Sequence, residues 1–100
     1  MKIKEGANIQ GLDIRMRPVL IKADQIWKNL GQELVVTAGL DGTHSSGSLH
    51  YYGRALDFRT RYFSDAEKDI AANQLRDELG NDFDVIKHAT HIHVEFDPET

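Results

Sequence analysis

The chain carries five histidines, His44, His50, His88, His91 and His93, and none falls in its first 43 residues. They gather in two stretches, "HSSGSLHYYGRALDF" from His44 to Phe58 and "HATHIHVEF" from His88 to Phe96. Within the first, His50 precedes Asp57 by seven residues, with Gly53 between them. Within the second, His91 and His93 stand two apart, so on a strand both side chains project to one face, opposite Ile92 and Val94. If the two strands share a sheet, His50, Asp57 and one histidine of "HIH" converge. Two imidazoles and a carboxylate form a three-ligand set for a catalytic zinc, whose open fourth position takes a water with its pKa lowered to about 7. Imidazole nitrogen favours Zn2+ over magnesium or calcium. A closed structural site would ordinarily draw on cysteine, and the chain has none.

The elements that must position these residues follow from periodicity. Pro18 stands ahead of "VLIKADQIWKNL", where Val19, Leu20, Ala23, Ile26, Trp27 and Leu30 mark one helical face and Gly31 takes the position after the helix end. Leu34 to Thr37 reads as a buried strand, and Leu40 to Ser48 as a loop. In "GRALDFRT", Ala55, Asp57 and Arg59 alternate with Leu56, Phe58 and Thr60, a strand with one apolar face. "SDAEKDIAANQLRDELG" opens on a capping box, Ser64 with Glu67, and closes on Gly80, with Ala66, Ile70, Leu75 and Leu79 as its expected buried stripe. "FDVIK" and "HIHVEF" read as a hairpin. The expected fold is α+β: one domain over residues 1–100, an about four-stranded, largely antiparallel sheet, two helices packed on one face and the zinc site on the other.

Composition excludes several classes. With a net charge of −4 and no basic stripe, the chain does not read as a nucleic-acid binder. No run approaches the roughly 20 apolar residues of a membrane span, and no membrane partner is expected. "MKIKEGANIQ" lacks the apolar core of a secretory signal, so the expected location is the cytoplasm, with cell-wall action requiring phage-type release or another export route. The chain is expected to act as a monomer.

"HSSGSLHYYGRALDF" followed by "HIHVEF" resembles the Ser-x-His-x-x-Gly-x-Ala-x-Asp … His-x-His pattern of the LAS-type zinc metallopeptidases. That group holds D-Ala-D-Ala carboxypeptidases, peptidoglycan endopeptidases and the hedgehog signalling domain that shares their fold. "SLHYYGRALDFRT" and "THIH" are closest to the hedgehog version, and the resemblance covers Leu34 to Phe96. It implies that His50, Asp57 and His93 bind zinc, that His91 lies beside the site, and that Ser48 braces the loop near the metal. His44 occupies a place where hedgehog also has a histidine near the metal. Tyr51 and Arg54 are further candidates for touching substrate.

Two departures from the pattern shape the functional expectation. The peptidases carry a glutamate shortly before the last zinc-binding histidine, and no acid lies between Val85 and His93 here. His88 occupies roughly that place, and a histidine with pKa near 6.5 can take a proton at neutral pH. Glu95, on the strand face of His91 and His93, is the other candidate. The carboxypeptidases also present an arginine before the first motif, and "AGLDGTHSS" has none. The resemblance thus implies a zinc-dependent peptidase acting on the stem peptides of peptidoglycan, with His88, His91 and Glu95 as its catalytic side chains. The alternative is a catalytically silent hedgehog-like zinc-binding module that recognises a protein or cell-wall ligand.

Overall fold

A computed structural model of the protein describes residues 1–39 and 53–98. Strand β1 (Lys2–Ile3) leads through a short 3-10 turn (Ile14–Met16) into helix α1 (Arg17–Asn29). Strands β2 (Val35–Ala38) and β3 (Ala55–Arg59) follow, then helix α2 (Asp65–Leu79) and the hairpin β4 (Phe83–Lys87) and β5 (His91–Phe96). Among the described residues five strands form one sheet in the order β1-β2-β3-β5-β4. Every pairing is antiparallel except β1 with β2. The expected fold class holds, with one strand more than expected. β1 is only two residues long, and its partner, Lys2 on Val35, lies more than thirty residues away, so no local pattern marks it.

Period-2 alternation makes β3 and β5 the core of the molecule. Leu56 and Phe58 pair in register with Val94 and Ile92, and all four are fully buried. They pack with Val19, Ala23, Ile26 and Trp27 of α1 and with Ala71, Ala72 and Leu75 of α2. Trp27 meets Phe58 edge-on at a centroid distance of 5.8 Å, and its indole N–H donates to the Arg59 carbonyl at 3.0 Å.

The α1 face is the expected one. That of α2 is rotated: Ala66 and Ile70 are exposed, and Ala71 and Ala72 take the buried places instead. Two alanines side by side offer a low, wide surface on which α1 can approach closely. The helix begins as its sequence indicates. The Ser64 hydroxyl accepts from the Glu67 backbone N–H, and the Glu67 carboxylate accepts from the Ser64 N–H.

The start of β3 is clamped by the segment before α1. Gly53, at φ +70°, accepts the Asp13 N–H through its carbonyl at 2.9 Å. A Cβ at Gly53 would lie 2.6 Å from the Gly11 carbonyl oxygen, and one at Gly39 would collide with that of Asn8. Both glycines therefore mark places where backbone crosses backbone. The first of them, Gly39, precedes the first motif, and Gly53 lies within it.

Candidate metal centre

Register brings the two motifs together. Asp57 of β3 pairs with His93 of β5, Arg59 with His91, and Ala55 with Glu95. Since Leu56, Phe58, Ile92 and Val94 fill the helix side, Asp57, His91, His93 and Glu95 project from the opposite face. The His93 ring is held between two carboxylates. Its Nδ1 lies 2.8 Å from Asp57 Oδ1 and its Nε2 lies 2.8 Å from Glu95 Oε1. The three side chains are 16%, 17% and 19% exposed for His93, Asp57 and Glu95, so water competes little for these contacts.

An ionised carboxylate only accepts hydrogen bonds, and a neutral imidazole has one N–H to donate. Satisfying Asp57 and Glu95 together requires a positive charge on the ring or a cation in place of one proton. The His93 pKa is accordingly raised above 6.5, first by the hydrogen bond to Asp57, with burial opposing and Glu95 adding to the rise. Asp84 and Asp97 bring their carboxylates within 4.8 Å of Glu95 and of each other, deepening the negative potential at that end of the strand.

His88 and His91 complete the cluster. The hairpin link is short, with the His88 N–H donating to the His91 carbonyl at 2.9 Å. Their rings stack at 4.6 Å between centroids, and the His88 ring meets that of His93 edge-on at 6.5 Å. The Thr90 hydroxyl lies 3.2 Å from His91 Nδ1. The three imidazoles thus share one sheet face with the carboxylates of Asp57 and Glu95, and Asp84, paired with Glu95, extends it.

Arg54 is placed elsewhere. Its guanidinium sits 3.4 Å from the Asp13 carboxylate and 5.9 Å from the centroid of the Phe96 ring. Arg15 shares that carboxylate and lies closer to the ring, at 4.3 Å. The Arg15 hydrogen bonds hold the Asp13 carboxyl well below the usual carboxylate range. Phe96 belongs to the helix side of β5, so this group stands on the other face of the sheet from His93. The Asp13–Arg15–Arg54 group was not foreseeable, because it joins segments forty residues apart. His44, Ser48, His50 and Tyr51 lie outside the described residues.

Asp57 and His93 fit a zinc ion by donor chemistry, a carboxylate oxygen and an imidazole nitrogen facing each other. Two donors about 2.1 Å from a tetrahedral zinc stand about 3.4 Å apart, so their contact would open by about 0.6 Å. Glu95 on the other ring nitrogen is the carboxylate partner that metal-bound histidines usually keep.

The family model of the Hedgehog amino-terminal signalling domain matches residues 12–95, most of the chain, including Asp57, His88, His91, His93 and Glu95. No curated protein matches the chain. The match over this span shows that the chain belongs to the Hedgehog amino-terminal signalling domain family.

Proposed function

We propose that this member of the Hedgehog amino-terminal signalling domain family is a zinc-binding module that recognises a protein or cell-wall ligand through the sheet face bearing the histidines. The observation that carries the reading is the clamp on His93, whose two ring nitrogens each face a carboxylate and so call for a cation. Asp57 and His93 Nδ1 would hold the ion with His50 of the same motif, and Glu95 would orient the His93 ring from Nε2. Zinc held there would supply Lewis acidity.

The test is metal content of protein purified without chelator or histidine tag. Near-stoichiometric zinc in the native chain, lost in His93→Ala and in His50→Ala, supports the module. A native chain that stays metal-free after reconstitution would remove its basis.

A second reading, a zinc peptidase acting on peptidoglycan peptides, draws on the position of His88. Its ring is exposed and stands 6.5 Å from that of His93, within reach of a substrate lying on this face. In that reading His88 takes and returns a proton, and His91 orients the substrate. The discriminating measurement is amine release from purified peptidoglycan by the zinc-loaded chain. Release abolished by His88→Ala, with zinc content unchanged, establishes the peptidase; no release across several wall chemistries leaves the binding module.

A further inference from the structure

At the far end of β3 from Arg54 the sheet opens on a cavity of about 290 Å³. It is lined by Trp27 of α1, by Lys2, Glu33 and Val35 at the start of the β1–β2 pair, and by Arg59 to Phe63 where β3 ends. The size lies at the lower edge of small-molecule sites, and polar and charged side chains make up more of the lining than apolar ones do.

The floor is aromatic. Trp27 and Phe63 are 1% and 6% exposed, their rings 5.4 Å apart, and Tyr62 stands 66% exposed at the rim. Lys2, Arg59 and Arg61 give the lining three cationic side chains against the single carboxylate of Glu33. Arg61 is turned onto its neighbour, its guanidinium donating to the Tyr62 hydroxyl at 2.8 Å and lying 4.8 Å over that ring.

Beside this cavity sits Thr60, 2% exposed, whose hydroxyl has no hydrogen-bond partner among the described residues. Its backbone is fully used, the N–H donating to Thr90 and the carbonyl accepting from Phe63. A buried hydroxyl without a partner is disfavoured. A core position at the end of a strand would be filled as well by valine. A threonine there, next to a hollow whose lining carries excess positive charge, has a use when a polar atom arrives.

We propose that this cavity binds a small organic anion with a flat apolar body, of the aryl carboxylate class. The ring of such a ligand lies against the aromatic floor, its carboxylate meets the Arg61 and Lys2 charges, and Thr60 donates its hydroxyl to a carboxylate oxygen. Its lining holds none of the cluster's histidines, although Arg59 pairs with His91 across the sheet.

The chain's one tryptophan lines the cavity, so its single indole N–H resonance reports on binding. Phenylacetate titrated into 15N-labelled protein should shift that resonance to saturation. Phenylacetamide, which keeps the ring and lacks the charge, should bind at least ten-fold more weakly, and acetate and inorganic phosphate should not move the signal. Arg61→Gln should weaken phenylacetate at least five-fold. Thr60→Val should raise the melting temperature of the free protein yet also weaken phenylacetate at least five-fold, a crossed effect that a purely structural threonine would not produce. Phenylacetate failing to saturate the indole signal overturns the proposal. So does equal binding of the amide, or a Thr60→Val protein that binds as the native one does.

Discussion

Gly53 sits in the middle of the histidine motif, and the structure gives two separable reasons for a glycine there. Its backbone is left-handed, at φ +70°, and a Cβ would stand 2.6 Å from the Gly11 oxygen and 3.1 Å from both Leu12 Cα and Asp13 N. Gly31 supplies the control. It has nearly the same dihedral, φ +79°, with nothing among the described residues within 4 Å of the site a Cβ would occupy. Alanine at Gly31 should therefore cost only the left-handed conformation, about 1–2 kcal/mol, less the roughly 0.4–1 kcal/mol gained by stiffening the unfolded chain.

At Gly53 the same cost applies, and the strap must also withdraw. Overpacking against atoms that cannot rotate away costs about 1–3 kcal/mol, and the Asp13–Gly53 hydrogen bond at risk is worth about 1 kcal/mol. Gly53→Ala should thus be about 2–4 kcal/mol less stable than Gly31→Ala. The assay is urea unfolding followed by far-ultraviolet circular dichroism, with equal slopes required so that the midpoints report stability alone. For a domain of this size the difference corresponds to a melting point lower by about 10–25 °C. If the two variants unfold within 0.5 kcal/mol of each other, on the order of the usual spread for unrelated surface changes, the crossing strap is not what fixes this glycine.

Zinc binding should fall by two orders of magnitude or more in Asp57→Asn, since the amide lacks the charge that draws the ion; competitive titration with a chromogenic chelator reads this, and an unchanged affinity would take Asp57 out of the site. In metal-free protein the pH dependence runs the other way from that of the metal. Because folding raises the His93 pKa above 6.5, the stabilisation from its protonated form is full below that pH and is lost as pH rises through the folded value. Metal-free protein should therefore melt at a lower temperature at pH 8.5 than at pH 6, with a shallower decline in Asp57→Asn, whereas zinc affinity should rise over the same interval as the competing proton leaves. Ser64→Ala removes one half of the capping box at α2 and should cost about 1 kcal/mol, seen as a melting point lower by about 4–8 °C with zinc content unaltered.

What could be read from the sequence depended on how local its cause was. The α2 start was legible because Ser64 and Glu67 satisfy each other within one turn. The shared face of His91, His93 and Glu95 was legible because a strand alternates side chains whatever it pairs with. The pairing of Asp57 with His93 required only that β3 and β5 be neighbours. By contrast, nothing near Lys2 announces that it pairs with Val35, and alanine is so neutral that Ala71 and Ala72 gave no sign of drawing the buried face of α2 away from Ile70. Arg54 could not be separated from the cluster by inspection, since its partners Asp13 and Arg15 come from before α1. In sequence Thr60 is one more residue on the apolar face of β3, and that its hydroxyl lacks a partner among the described residues shows only once the end of the sheet is built.

The placement of Glu95 bears on the choice between module and peptidase. A carboxylate that is to accept a proton from an attacking water must keep an acceptor position directed at the substrate. Glu95 instead lies 2.8 Å from His93 Nε2, on the side of the ring turned away from Asp57. Releasing it would remove the group that favours a donating N–H at that nitrogen and leaves Nδ1 to accept a metal. Serving as base would thus weaken the ligand that the base is meant to assist. His88 carries no such conflict, because the ring it stacks on is His91, not a member of the Asp57–His93 pair. Catalysis turns on the site and not on the family relationship, since function belongs to sites and not to folds. Among the described residues the proposed hydrolysis would rest on the exposed His88 imidazole at the hairpin turn, and without it the role proposed for the cluster is cation binding alone.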